Sequence, residues 1–195
     1  MPYTPERTRA RIFEAAVDEF AAHGFAGARV DRIAAGARAN KQAIYLYFGD
    51  KRRLFGLVLE DQLGRLDAAV PRDAAGDLRE YVRRLFEFMR RDRRFLRLLM
   101  WEALEFGEGP VPGEDVRAGL YRDRAAFLRA ARREGRVDAS VPEEALWLAA
   151  IGMVSWFFAV PQVARMTLGR TPTEADVERH GDHLVELIGR LTAPR

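Results

Sequence analysis

Apolar positions recur at helical spacing along nearly the whole chain. Ile12, Phe13, Ala16, Val17 and Phe20 form the first stripe. Thr4 can N-cap that helix with Pro5 at its first position, and Gly24 follows where a left-handed cap is expected. The pattern then predicts two short helices, about 30–35 and 40–47, separated by a turn. A long helix follows to about residue 69, with Asp50 as its cap. Residues 71–76 read as a polar connector. Leu78, Val82, Leu85 and Met89 carry the next helix, residues 93–106 another, and Gly107 to Gly113 (GEGPVPG) form the clearest loop. Val116, Leu120, Phe127 and Ala131 mark a helix ending near Gly135. Pro142 opens a very apolar one, ALWLAAIGMVSWFFAV, and Thr173 can cap a last helix. No strand alternation, repeat or low-complexity tract interrupts the series. The expectation is an all-α fold of about nine helices.

Composition narrows the chemistry. At 195 residues, 48% hydrophobic and 31% charged, the chain can bury a core of its own. The absence of cysteine excludes disulfides, thiolate metal sites and cysteine nucleophiles. The longest apolar run, Ala145 to Val160, has 16 residues and stops at Pro161 and Gln162. That is short of the ~20 needed to cross a bilayer, so a buried helix is expected there. The first residues lack the apolar stretch of a secretory signal, so a cytoplasmic protein with no membrane partner is expected.

Catalytic arrangements find little support. The two serines, Ser140 and Ser155, lie outside any G-x-S-x-G turn. GFAGAR and GEGPVPG lack the strand–loop–helix setting of phosphate-binding loops. His180 and His183 stand three apart near Asp176 and Asp182, but spacing fixes no third ligand beside them. No catalytic residue, metal or cofactor is expected, and the chain does not read as an enzyme.

The charge is unevenly placed. Residues 1–53 hold ten Lys or Arg against six Asp or Glu, a balance of +4, while the remainder holds 22 against 23, a balance of −1. A basic module on a neutral body points to a polyanion. The two short helices in that module cannot stand alone in water. Held between longer amphipathic helices, they form a helix-turn-helix arrangement, whose second helix enters the major groove. Asn40, Gln42, Tyr45 and Tyr47 on the second helix can reach base edges or phosphates. Lys41 and Lys51 are the only lysines of the chain. Lys51 opens the next helix, where its ammonium and the helix terminus could share a phosphate. Three-helix units with polar turns also exist without binding DNA, so the residues alone leave both readings open.

The stretch from Arg11 to Leu54 resembles the DNA-binding domain of TetR-family transcriptional regulators. Ala15, Ala16, Phe20, Gly24 and Val30 match, and so do Ile33, Ala34, Ala37, Lys41, Ile44, Tyr45, Phe48 and Lys51 within IAAGARANKQAIYLYFGDK. Three positions depart from the family pattern. Arg38 takes the place of a turn glycine, Arg29 that of a small hydroxyl cap, and Leu46 that of a polar or aromatic residue. The rest of the chain is similar to the family more loosely. LRLLMWEAL and WFFAVPQVARMTLG look like one actinobacterial-type subgroup.

The resemblance implies a DNA-binding domain over 1–53 and a ligand-binding and dimerisation domain over 54–195. It implies a homodimeric repressor on a palindromic double-stranded operator, released when a small apolar or aromatic effector binds. Arg29, Lys41, Tyr45, Tyr47 and Lys51 would grip the backbone, and Asn40 and Gln42 would read bases. Phe86, Met89, Leu99, Met100, Trp101, Tyr121, Trp147, Met153 and Trp156 are the candidates to line the effector cavity. Ile151, Val154, Leu184, Leu187, Ile188 and Leu191 suit the dimer interface. Glu102 and Glu105 could meet a cationic ligand or pair with Arg94 or Arg97. A different class stays open beside this one: an all-helical enzyme or carrier for an apolar small molecule, with the basic N-terminus incidental.

Overall fold

Among the residues that the computed structural model describes, 4–70, 77–138 and 140–193, the chain forms ten helices and no strand. The connector expected at 71–76 lies outside the described residues. The helices are α1 Pro5–Gly27, α2 Val30–Ala37, α3 Lys41–Phe48, α4 Lys51–Ala69 and α5 Leu78–Arg91. They continue with α6 Arg94–Phe106, α7 Glu114–Arg133, α8 Glu143–Ala159, α9 Pro161–Leu168 and α10 Glu174–Thr192.

The helix beyond the nine expected is α9. Pro161 ends α8 as its sequence suggests, but a proline also starts a helix well, since its missing N–H is not needed in the first turn. The chain turns by 78° between α8 and α9 and continues helical. Among the described residues no single helix is long and apolar enough to cross a membrane.

The N-caps follow the sequence with one exception, and Gly24, expected as the C-cap of α1, instead lies inside it, four residues before the C-cap Ala28. Asn40 accepts from the Ala43 N–H at 2.7 Å and Asp50 from the Arg53 N–H at 2.7 Å. Thr173 and Asp176 close a reciprocal capping box on α10. Hydrogen bonding by Arg170, then by Thr173 and Arg179, holds the Asp176 carboxyl far below its ordinary pKa. Thr4 stands at the N-cap of α1 but its hydroxyl makes no cap bond. Pro5 has already removed one of the donors that a cap would satisfy.

The chain gathers into two compact units. One holds the residues up to Gly64 together with Arg94–Arg117, and the other holds Arg65–Arg93 and the residues from Ala118 onward. Compactness thus divides the chain differently from a cut after residue 53, because α6 packs with α1. In the first unit Ile12, Phe20, Ile33, Ile44, Phe48, Phe55 and Leu98 are each at most 2% exposed. Burial of each such side chain contributes about 1.5–3 kcal/mol.

The seat of α6 on α1 explains Gly24. Its φ of 69° breaks the helical backbone, and a Cβ there would stand 2.8 Å from the Trp101 ring. Only glycine combines that backbone with that approach. The Ala21 carbonyl just before the break accepts from Arg97 Nε at 2.8 Å and Trp101 Nε1 at 3.2 Å.

In the second unit α5 packs on α8 and α10. The Phe86 and Phe158 rings lie 4.9 Å apart, and Gly181 lets α10 approach Phe86 closely. Helix α8 buries Leu146, Trp147, Ala150, Val154 and Phe158 and leaves Leu148 and Trp156 exposed.

Candidate nucleic-acid interface

Helices α2 and α3 are joined by Arg38, Ala39 and Asn40. Arg38 is the one non-glycine among the described residues with a left-handed backbone, φ 50° and ψ 46°. The turn is held by the Arg38 N–H donating to the Ala35 carbonyl at 3.1 Å and the Ala39 N–H to Ala34 at 3.0 Å. An arginine there costs on the order of 1 kcal/mol relative to glycine. It leaves an exposed guanidinium at the tip of the turn.

The start of α2 lacks a capping side chain, as Arg29 suggested. A carboxylate from another helix takes part of that role. Glu19 of α1 accepts from the Arg29 N–H at 2.9 Å and from Arg32 Nε at 2.8 Å, while Arg32 Nη2 donates to the Gly27 carbonyl at 2.7 Å. Burial works to raise the Glu19 carboxyl, but the hydrogen bonds from Arg32 and Arg29 and the adjacent positive charge outweigh it, so its pKa is lowered. A lowered carboxyl stabilises the folded state above its ordinary pKa of 4.5, and that contribution is lost as pH falls through the folded value. Glu19→Gln is therefore expected to cost about 1 kcal/mol near neutral pH and to flatten the acid limb of a Tm-against-pH curve. A variant curve parallel to the wild type would contradict this. No local sequence signal marks Glu19, because its partners lie ten and thirteen residues away.

Helix α3 has two sides. Ile44 and Phe48 are buried, and Tyr47 is half-buried with its ring edge-on to Phe48 at 6.2 Å. The other side presents Lys41, Gln42, Tyr45 and Leu46, with Leu46 80% exposed. Asn40 has spent its side-chain oxygen on the cap, which leaves its amide N–H groups for a ligand. Lys41 Nζ pairs with Asp31 Oδ1 at 2.9 Å, both side chains in solvent. That hydrogen bond raises the lysine pKa. Water and salt screen such a pair, so a phosphate can take the ammonium over. Arg29 is exposed.

Lys51 opens α4. Its Nζ lies over the Phe25 ring, 4.9 Å from the centroid, and donates to the Ala26 carbonyl at 3.3 Å. Burial, with the Arg32 charge adding to it, lowers its pKa against the pull of Glu105 and Glu19. The ammonium braces the end of α1 because an aromatic face and a carbonyl lie within reach of its stem.

The other expected residues fall in separate places. Leu99, Met100 and Trp101 belong to the first unit, with Trp101 seated on α1. Phe86 and Met89 are buried in the second unit, where Trp147 meets Tyr121 edge-on at 5.8 Å. Met153 and Trp156 line a groove of about 880 Å³ among α8, α9 and α10, with Phe157, His180, Leu184 and Leu187. Val154 and Ile188, expected at an interface, lie in the subunit's own core, while Leu187 and Leu191 are exposed. His180 stacks on Phe157 at 4.3 Å; burial first, then the His183 charge, lowers its pKa. Glu102 pairs with neither Arg94 nor Arg97. Its oxygens take Arg117 Nη1 at 3.0 Å and Nη2 at 2.6 Å, and that guanidinium also donates to the Pro112 carbonyl at 3.1 Å. Arg94 instead holds Asp18.

Residues 12–58 match the family model for bacterial regulatory proteins of the tetR family, and residues 77–190 match one described as tetracyclin repressor-like, C-terminal domain. The chain is 44% identical over 165 residues to the HTH-type transcriptional repressor SCO4008 of Streptomyces coelicolor, with 85% of each chain covered. It is 36% identical over 133 residues to the HTH-type transcriptional repressor NicS of Pseudomonas putida, covering 64% of this chain and 61% of that one. The crystal structure of the transcriptional regulator SCO4942 from Streptomyces coelicolor superposes with a TM-score of 0.81 at 28% identity, covering 96% of this chain and 99% of the other.

Proposed function

Since the chain belongs to the TetR family of bacterial regulatory proteins, we propose that it is a homodimeric transcriptional repressor that grips a palindromic operator through α3 and lets go when a small molecule binds its second unit. The observation that carries this is the division of α3. One side is locked into the core by Ile44 and Phe48, and the other offers Gln42, Lys41, Tyr45 and Leu46 to a groove. Regulators of this family act by binding, not by catalysis. The relatives above carry the name of repressor.

Gln42 reads a base; Arg29, Arg38, Lys41 and Tyr45 take phosphates; Asn40 offers its amide; Tyr47 supports the helix from its half-buried side. Two copies of α3 must stand about 34–36 Å apart to enter successive major grooves, so a small pivot of the subunits breaks both contacts at once. The subunits meet through the apolar surface that Leu148, Trp156, Leu187 and Leu191 expose, with half-buried Ile151 beside them. Such a surface has no reason to face water in a monomer. Phe86, Met89, Tyr121 and Trp147 supply apolar wall for the effector.

Selection of genomic fragments on the purified protein at near-physiological salt tests the reading. A palindrome with half-sites about one turn apart is expected. Recovery of no fragment by a folded dimer would overturn it. On the recovered site Gln42→Ala is expected to relax preference at one base pair by about 1–3 kcal/mol. Arg38→Gly relieves backbone strain but removes a charge, so it is expected to weaken all sequences alike and lower the salt slope by about one. An unchanged salt slope would remove Arg38 from the phosphate set.

A further inference from the structure

Helix α7 carries an arginine that is 1% exposed and poorly satisfied. Arg124 Nη1 donates to the Tyr81 hydroxyl at a long 3.4 Å, and Nη2 lies 3.0 Å from Asp67 Oδ1. That approach is not along an N–H direction, and both Nη2 and Nε are left without a hydrogen bond. A second donor in the same unit is in the same condition. The Trp147 indole N–H is buried and unbonded. Trp147 packs against Tyr121, which precedes Arg124 by one turn on the same face of α7.

A buried donor left without an acceptor costs the full desolvation of that group, and a buried guanidinium costs more. The contrast with Arg117 is direct. That buried arginine leaves only its Nε unbonded, while its two Nη groups are closed by two carboxylate oxygens and a carbonyl, and it holds the fold. Arg124 is open. Its counter-ion is the more accessible of the two, since the Asp67 side chain is 28% exposed and that of Arg124 1%.

The orphan Nη2 faces the equally unbonded Asp67 Oδ1, but Arg124 Nε and the Trp147 indole N–H are donors with no hydrogen-bonding acceptor, so what they lack is an acceptor. A guanidinium selects a carboxylate, which takes two parallel N–H bonds. The flanking Tyr81, Tyr121 and Trp147 rings select a flat apolar body. We propose that the effector is a small aromatic carboxylic acid, and that its carboxylate takes Arg124 in exchange for Asp67. The exchange keeps the buried site neutral, because one carboxylate leaves as another enters. It rests on the second unit being the effector-binding part, and it names the ligand class that part takes.

The test uses the full-length protein with 2-naphthoate and its neutral amide, read by calorimetric titration and by release of bound operator. The acid is expected to bind at least about tenfold more tightly than the amide, as a charged hydrogen bond implies. Asp67→Asn removes the internal competitor while keeping its shape. It is expected to raise affinity for the acid about tenfold and leave the amide unchanged. Arg124→Gln is expected to abolish the preference for the acid. If Arg124→Gln does not fold, Asp67→Asn decides alone. Equal binding of acid and amide, binding of neither, or an Asp67→Asn variant with unchanged or weaker acid binding would each overturn the proposal. Operator binding by the unliganded protein is scored separately. Its loss would defeat the repressor reading, whereas its presence beside indifference to the acid would defeat only the choice of effector.

Discussion

Replacing Glu102 by alanine is expected to destabilise the protein by about 3–5 kcal/mol, the cost of leaving a buried charge without its partner. The Arg117 guanidinium is buried and sends three hydrogen bonds to Glu102 and the Pro112 carbonyl. The pair therefore fastens the loop after α6. That loop bears on α4, where Pro112 lies 3.1 Å from where a Gly56 Cβ would stand, and where Arg52 donates to the Pro110 carbonyl at 3.0 Å. Since α4 begins three residues after α3 ends, operator binding should fall together with stability. Urea denaturation gives the measurement. The double replacement Glu102→Leu with Arg117→Met is expected to recover most of the loss, because an apolar pair of similar volume needs no desolvation of charge. A double variant less stable than Glu102→Ala would show that the pair does more than cancel its own burial.

Trp156→Glu is expected to turn the dimer into a monomer and to lower operator affinity by at least about 100-fold. Trp156 is 62% exposed on α8 and stands beside Leu187 on the wall of the α8–α10 groove. Large aromatic residues at the centre of an interface carry a disproportionate share of its energy, and a carboxylate there would be buried unpaired. A monomer keeps one half-site and loses the second, whose binding in the dimer is effectively intramolecular. Light scattering after size exclusion reads the oligomeric state, and titration of the operator reads the affinity. Leu191→Asp, on a different helix of the same surface, is expected to act in the same direction. A Trp156→Glu protein that remains dimeric would move the interface elsewhere.

Much of this molecule is written locally. The stripe from Ile12 to Phe20 and the caps at Asn40, Asp50 and Thr173 depend on neighbours within about four residues, so the sequence displays them directly. The same holds for the polar side of α3, whose residues are exposed because the intervening ones are apolar. What was not legible rests on distant partners. Glu19 reaches α2 from α1, Arg117 reaches Glu102 across fifteen residues, and Lys51 turns to a carbonyl twenty-five residues earlier. Spacing could not say which arginine Glu102 meets, because several stood nearby. Nor could apolarity separate Val154, buried inside the subunit, from Leu148 on its outside, since both lie on a helix apolar nearly all round. The helix at Pro161–Leu168 was hidden by an ambiguity of proline, which ends one helix and starts another with the same ring.

The two lysines have a chemical consequence of their own. Every side-chain amine of the protein lies at Lys41 or Lys51, on the helices that carry or follow the groove-facing surface. Acetylation of lysine removes its positive charge. In most proteins that change is scattered over the surface. Here amine acylation is confined to the DNA-reading module, apart from the terminal amine. At Lys41 it cancels the ammonium that pairs with Asp31, and at Lys51 the ammonium that braces Ala26. The arginines are untouched by such reagents, so acylation leaves the rest of the module's positive charge in place.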